Sequence, residues 1–312
     1  MENLVSFPFS ARAPSSLAEP VTQHSAAWVR ELGLLEQLPN RQRYEMLAIG
    51  DLVTRTHPSF ALAELQIIAN WSLWLFVNDD IYQHLSPDEL GGWVERCVAI
   101  VGGQDVPADT PLLRGLASLV EQTWPHVSER WREHFADNLR DHLASLQWET
   151  ALAVDGRSPD IATYLDKRQS TSGFKAYADL LHISPGFTVP DDVRFSPPVQ
   201  RMELMINNIA SWANEVLSFD KEREQDDLLT NMVWVYHCEK GISVEDAKAQ
   251  VISLCQSEID NLHFQMTHLP DFGEDVVPSL RHYVSVLQDL VVGTFQWHFA
   301  TSRYRQHWKP SQ

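Results

Sequence analysis

The sequence is poor in several things, and each shortage excludes something. Only three cysteines, Cys97, Cys238 and Cys255, stand among 312 residues. Their odd number and their spacing argue against a disulfide framework or a thiolate metal site, and they read as reduced, mostly buried thiols. Cationic residues are scarce: 24 Lys and Arg against 42 Asp and Glu give a formal charge of −18. That balance disfavours nucleic acid and anionic membrane surfaces as partners, and a polyanionic small molecule would need local cations or metals. Long hydrophobic runs are missing. The most apolar stretch, Ile67 to Val77, is too short to span a bilayer and is interrupted by Asn70 and Ser72, so membrane insertion is not expected. Met1-Glu2-Asn3-Leu4-Val5 is not a basic segment leading into an apolar one, so the chain reads as cytoplasmic, without a secretory leader. Strand-type alternation, internal repeats and low-complexity tracts are absent too.

What is present is helical period. Prolines and serines around Ala13-Pro14-Ser15-Ser16 mark residues 1–18 as an extended arm. Residues 19–312 then read as one all-α domain. Amphipathic segments begin at Ala26 and Tyr44, and Phe60 to His84 is apolar nearly all round, as expected of a helix interior to a bundle. Ser86-Pro87-Asp88-Glu89 reads as a cap and first turn. Further helices are expected over 111–123, 127–153, 160–181, 199–222, 227–239, 243–268 and 276–300. Eleven tryptophans suggest a core or cavity walled by aromatics.

The chain is organised around Asn214-Glu215-Val216-Leu217-Ser218-Phe219-Asp220-Lys221-Glu222. Asn214, Ser218 and Glu222 are four residues apart and share one helical face. An amide carbonyl, a hydroxyl and a carboxylate are hard oxygen donors suited to Mg²⁺, which is commonly completed by water and a substrate phosphate. Lys221 adds a cation at the rim. By spacing alone, the same pattern also fits an ordinary amphipathic helix. A second constellation, Asp79-Asp80, closes the apolar helix. Two adjacent carboxylates there are costly to bury without a neutralising metal, or they emerge into solvent.

Together these stretches resemble the class I terpene synthases of microbial type, most of all bacterial sesquiterpene synthases. The likeness runs from Trp71-Ser72-Leu73-Trp74-Leu75-Phe76 into Asp79-Asp80, through Tyr164 to Gly173 and the Asn214 to Glu222 stretch, to Gly241 through Ala247 and Arg303-Tyr304. It implies an α-helical bundle around a central apolar active-site cavity. By that resemblance Asp79 bridges two Mg²⁺ ions, Asp80 stands behind it, and Asn214, Ser218 and Glu222 hold a third. Arg168, 46 positions before Asn214, falls at the place of the family's diphosphate-sensing arginine. Lys221, Arg303 and Tyr304 complete the diphosphate cradle, and Thr171-Ser172-Gly173 matches a helix break that triggers ionisation.

The implied reaction is loss of diphosphate from an acyclic prenyl diphosphate, followed by cyclisation to a terpene hydrocarbon or alcohol. Cations would stabilise the leaving group, and a dry aromatic pocket would stabilise the carbocation. Pocket candidates are Phe76, Phe174, Tyr177, Trp212, Phe295, Trp297 and Trp308. The length suits the C15 farnesyl diphosphate; geranyl and geranylgeranyl diphosphates, or a non-catalytic isoprenoid-binding bundle, are the alternatives. Many relatives are dimers, so a homodimer is an expectation of the same kind. The sequence departs from the family at Gln83 and His84, where another acid is usual, and at Glu215, which replaces the commoner aspartate beside Asn214.

Overall fold

The computed structural model describes residues 4–37, 49–82, 85–184 and 189–301. Among these the regular structure is helical and no strand occurs. In chain order the helices are α1 (Ala18–Leu32), α2 (Ile49–Thr56), α3 (Leu62–Tyr82), α4 (Pro87–Val101), α5 (Pro111–Thr123), α6 (Glu129–Asp155), α7 (Ile161–Thr171) and α8 (Phe174–Asp179). They continue with the single turn α9 (Asp191–Arg194), then α10 (Pro197–Glu224), α11 (Met232–Lys240), α12 (Val244–Thr267) and α13 (Val277–Ala300).

Local chemistry explains the boundaries. α2 stops at Thr56, two residues before Pro58, which cannot continue a helix in register. α4 starts on the expected capping box, where the Glu89 carboxylate accepts the Ser86 backbone N–H at 3.1 Å. Ser128, Asp160, Asn231 and Ser243 each cap a helix by accepting a backbone N–H two or three residues on, at 3.2, 2.7, 2.9 and 3.0 Å. Two expectations need correction. The helix read across 160–181 is interrupted at Ser172-Gly173, and the helix read from 227 begins at Met232, because Asn231 supplies the cap.

α3 is the interior helix. Leu65, Ile68, Ala69, Trp71, Leu73, Trp74 and Val77 are sealed from solvent, and the indoles find partners there: Trp71 donates to Thr123 Oγ1 and Trp74 to the Leu112 carbonyl, both at 2.8 Å. α13 packs on α2, and α10 packs on both α12 and α13. At the α13–α2 crossing Gly293 is required by contact, since a Cβ there would meet the Arg55 carbonyl oxygen at 2.4 Å. A second core cluster, built from Tyr164, Trp212, Phe219, Met232 and Val251 among others, joins α7, α10, α11 and α12.

Residues 4–17 contain no helix and lie against α12 and α13. The Ser6 N–H donates to Gln256 Oε1 at 2.7 Å, and Gln256 Nε2 returns a bond to the Ser6 carbonyl at 2.9 Å. Phe7 meets Phe295 edge to face with centroids 5.4 Å apart. Arg12 gives its backbone N–H and its Nε to the two carboxylate oxygens of Asp289, at 2.7 and 2.6 Å. Cys97 and Cys255 are buried free thiols, and Cys238 is exposed. Among the described residues, no helix is long and apolar enough to cross a membrane.

Candidate active site

A cavity of about 800 Å³ opens between α2, α3, α6, α7, α8, α10 and α13. Its inner wall carries Leu52, Leu75, Phe76, Leu146, Phe174, Tyr177 and Trp297. Phe76 of α3 and Trp297 of α13 stack with centroids 6.1 Å apart and planes inclined by 26°. The polar part of the lining is of the opposite character; it meets solvent at the exposed Asp226 and Asp227 and so marks the mouth. It carries Asp79, Glu149, Glu215, Glu222, Asp226 and Asp227, with Arg168 and Lys221 as the cationic lining residues among those described.

Asp79 reaches the cavity from the last full turn of α3. The buried turn beneath it is fixed by Asn78, whose Oδ1 accepts the Trp93 indole N–H at 2.9 Å. Asp80 follows in the same helix. Asn214 and Glu222 reach the cavity from α10, and Ser218 lies between them, fully buried. Ser218 Oγ has no partner of full hydrogen-bond geometry, although it sits near enough to Glu222 to hold that carboxyl down. Burial, followed by the neighbouring Glu215 charge, pushes the Glu222 carboxyl up to about 7. A buried orphaned hydroxyl beside an amide and a carboxyl short of positive charge is a donor set that fits a hard divalent cation. Among the described residues no three His, Cys, Asp or Glu side chains gather as a metal-binding group. The triple is a mixed oxygen set with one carboxylate.

Arg168 is in the last turn of α7 and Glu215 is on α10. Their side chains form an ion pair at 2.6 Å, with 16% and 4% of their surfaces exposed. Burial acts to lower the Arg168 guanidinium, but Glu215, Tyr164, Glu149 and Glu222 raise it, and it stays charged. Its Nη1 also donates to Thr171 Oγ1 at 3.1 Å. Beyond Thr171 the helix breaks. Gly173 takes φ 66° and ψ −4°, a left-handed conformation natural only to glycine, and its α-carbon faces the His142 ring. Ser172 Oγ donates to Asn207 Oδ1 at 2.9 Å and accepts the Phe174 N–H at 3.2 Å, which locks the break to α10 and α8. Thr171, Ser172 and Gly173 all line the cavity.

Several residues of the site escape a sequence reading. Glu149 lines the mouth from α6, where burial pushes its carboxyl up to about 8 against the pull of Arg168. Nothing in its helical surroundings marks it. Asn231 Nδ2 donates to Glu222 Oε2 at 2.8 Å and to the Glu215 carbonyl at 3.0 Å. Glu215 Oε2 accepts the Met232 N–H at 2.9 Å, so the departure at this position ties α10 to the start of α11 as well as to Arg168.

Two pocket expectations are corrected. Trp212 faces away from the cavity into the second core cluster, and Phe295 packs under Phe7 and Phe299 beneath the N-terminal arm. Phe76, Phe174, Tyr177 and Trp297 line the cavity. Gln83, His84, Arg303, Tyr304 and Trp308 lie outside the described residues.

Residues 70–261 match the family described as terpene synthase family 2, C-terminal metal binding. The chain belongs to the terpene synthase family. Over 308 residues it is 30% identical to the (+)-T-muurolol synthase ((2E,6E)-farnesyl diphosphate cyclizing) of Roseiflexus castenholzii, covering 96% of this chain and 92% of that one. It is 26% identical to the germacrene A synthase of Nostoc punctiforme, over 95% and 93% of the two chains. In fold this terpene synthase is similar to the germacradien-4-ol synthase of Streptomyces citricolor, with a TM-score of 0.85, 21% identity and 95% and 98% of the chains covered. A linalool/nerolidol synthase of Streptomyces clavuligerus, in complex with 2-fluorogeranyl diphosphate, gives a TM-score of 0.84 at 22% identity, over 96% and 99%.

Proposed function

We propose that this terpene synthase is a cytoplasmic, Mg²⁺-dependent cyclase acting on farnesyl diphosphate, a carbon–oxygen lyase that releases diphosphate and closes the remaining chain into a sesquiterpene hydrocarbon or alcohol. The observation that carries the reading is the polarity of one cavity. A carboxylate-rich mouth with Arg168 and Lys221 leads to an apolar wall carrying the Phe76–Trp297 stack. A volume of about 800 Å³ lies within the roughly 300–1,000 Å³ usual for small-molecule sites. The Roseiflexus castenholzii relative, whose name specifies cyclisation of farnesyl diphosphate, supports the C15 substrate.

The excess of carboxyls at the mouth repels a polyanion, so the substrate needs intervening cations. Asp79 on one side and Asn214, Ser218 and Glu222 on the other are the residues that would hold them, three Mg²⁺ by the family's pattern. Bound Mg²⁺ would supply Lewis-acid neutralisation of the departing diphosphate. Arg168 and Lys221 add fixed positive charge where the allylic carbon–oxygen bond breaks and the electron pair leaves with oxygen. Phe76, Phe174, Tyr177 and Trp297 exclude water and present π faces to the carbocation, which is attacked by a distal double bond and ends by proton loss or water capture.

The test is incubation of the purified protein with geranyl, farnesyl and geranylgeranyl diphosphates in turn, with and without Mg²⁺, and analysis of volatile products by gas chromatography and mass spectrometry. A cyclic C15 product that requires Mg²⁺ is expected. Diphosphate release from none of the three overturns the reading.

A further inference from the structure

Tyr177 lines the cavity, and its hydroxyl is bonded within the packing between α8 and α2. There Tyr177 Oη lies 2.7 Å from Thr56 Oγ1. Thr56 and His57 are sealed from solvent, and neither touches the cavity. Thr56 Oγ1 has three further neighbours: the Leu52 carbonyl at 3.0 Å, the Val53 carbonyl at 3.4 Å and His57 Nδ1 at 2.8 Å. A carbonyl can only accept, and with its hydrogen directed to the carbonyls of its own helix the Thr56 oxygen is left as the acceptor for the Tyr177 hydroxyl. Burial holds the His57 ring far down, to about 3, so it is neutral with one N–H, and Nε2 is without a partner. The His57 ring also stands edge to face against the Tyr177 ring at 89° with centroids 5.6 Å apart.

We infer that Thr56 is a positioning residue for product specificity: it tethers the Tyr177 hydroxyl behind the cavity wall and so fixes the angle at which the ring meets the carbocation. The inference rests on the cyclase reading of the cavity and deepens it. Tyr177 is the residue in contact with the reacting chain, and Thr56 acts only through it. An untethered ring can tilt about its Cβ, and cation–π attraction falls as the cation leaves the ring face. Competing closures of one carbocation differ little in barrier, so a small change of wall angle redistributes products without stopping ionisation, which takes place at the mouth.

The experiment compares the wild type with Thr56→Val, Thr56→Ser and Tyr177→Phe on farnesyl diphosphate with Mg²⁺, reading the ratio of minor to major terpenes alongside the rate of diphosphate release. Thr56→Val keeps the side-chain shape and removes the hydroxyl that Tyr177 bonds. It should change the ratio by about threefold, the equivalent of one ordinary cation–π contact, while diphosphate release persists. Thr56→Ser should restore the wild-type ratio, and Tyr177→Phe should shift it in the same direction as Thr56→Val. Thr54→Val serves as the control for destabilisation alone. Thr54 is equally buried, but its hydroxyl bonds only backbone carbonyls of its own helix, and its variant should keep the wild-type ratio. A ratio belongs to the folded molecules that turn over, so partial unfolding does not mimic the effect. An unchanged ratio in Thr56→Val overturns the tether. A wild type without terpene product overturns the cyclase reading and the tether with it.

Discussion

Arg168 Nη2 and Glu215 Oε1 are held 2.6 Å apart across the seam between α7 and α10, and the same carboxylate takes the first backbone N–H of α11 through its other oxygen. Three helices therefore depend on one side chain. Glu215→Ala should cost about 3 kcal/mol, because it leaves Arg168 with its closest countercharge removed and the Met232 N–H without an acceptor. Glu215→Gln keeps an oxygen for Met232 and should cost less. Urea unfolding of both variants checks the order, and equal losses would show that the ion pair adds nothing.

Asn214→Ala and Glu222→Ala each remove one donor of the proposed metal set. Turnover should fall by roughly two orders of magnitude, with a higher Mg²⁺ concentration needed for half-maximal rate. A Mg²⁺ titration of product formation measures both quantities. Near-normal turnover in both variants would refute the role of the triple.

Glu149 makes a pH prediction. Burial places its carboxyl at about 8, above the ordinary 4.5. A carboxyl raised on folding contributes its stability fully below the unfolded value, and the contribution is lost as pH rises through the folded one. In a chelator, with divalent ions removed, its contribution should decline between about pH 4.5 and 8. Glu149→Gln, which cannot ionise, should flatten that decline. Urea midpoints at pH 5, 6.5 and 8 decide it; parallel curves for wild type and variant would dismiss Glu149 as the cause.

Gly173→Ala asks an L side chain to adopt φ 66° and brings a Cβ to 3.1 Å from the His142 ring. A loss of at least about 1 kcal/mol is expected from the backbone alone. Turnover should fall further than stability does, because Thr171 and Ser172, which line the cavity, are positioned by the same break. Thermal unfolding together with turnover measured well below the transition separates the two effects.

Much of this site is legible in the sequence, and the part that is not has a common cause. Asp79, Arg168, Asn214 and Glu222 line one cavity, while Ser218, between the last two on α10, is buried outside its lining. Trp212 and Phe295 fail because one residue along a helix turns the side chain by 100°. Ser211 and Thr294, their immediate neighbours, face the cavity instead. Aromatic composition says that rings will line something, and only the rotation of each helix against its neighbours says which ones do. Glu149, Asn231 and Thr56 share a different difficulty. Each matters through a partner on another helix, Glu149 through Arg168, Asn231 through Glu222 and Thr56 through Tyr177, and no local pattern records such pairings. The helix break at Gly173 was legible only through the family resemblance, because helical period runs across it unbroken.

The N-terminal arm has a consequence for how the molecule is made. Its anchor at Arg12 binds a residue 277 positions later, and its bonds at Ser6 reach 250 positions ahead. At a synthesis rate of about 5–20 residues per second, the arm leaves the ribosome roughly 15–55 s before α13 exists to receive it. During that interval Phe7 and Phe9 have no surface to cover. Residues 6–12 are made early and are among the last to find their place, so a nascent chain stopped short of α13 carries an uncovered pair of aromatic rings.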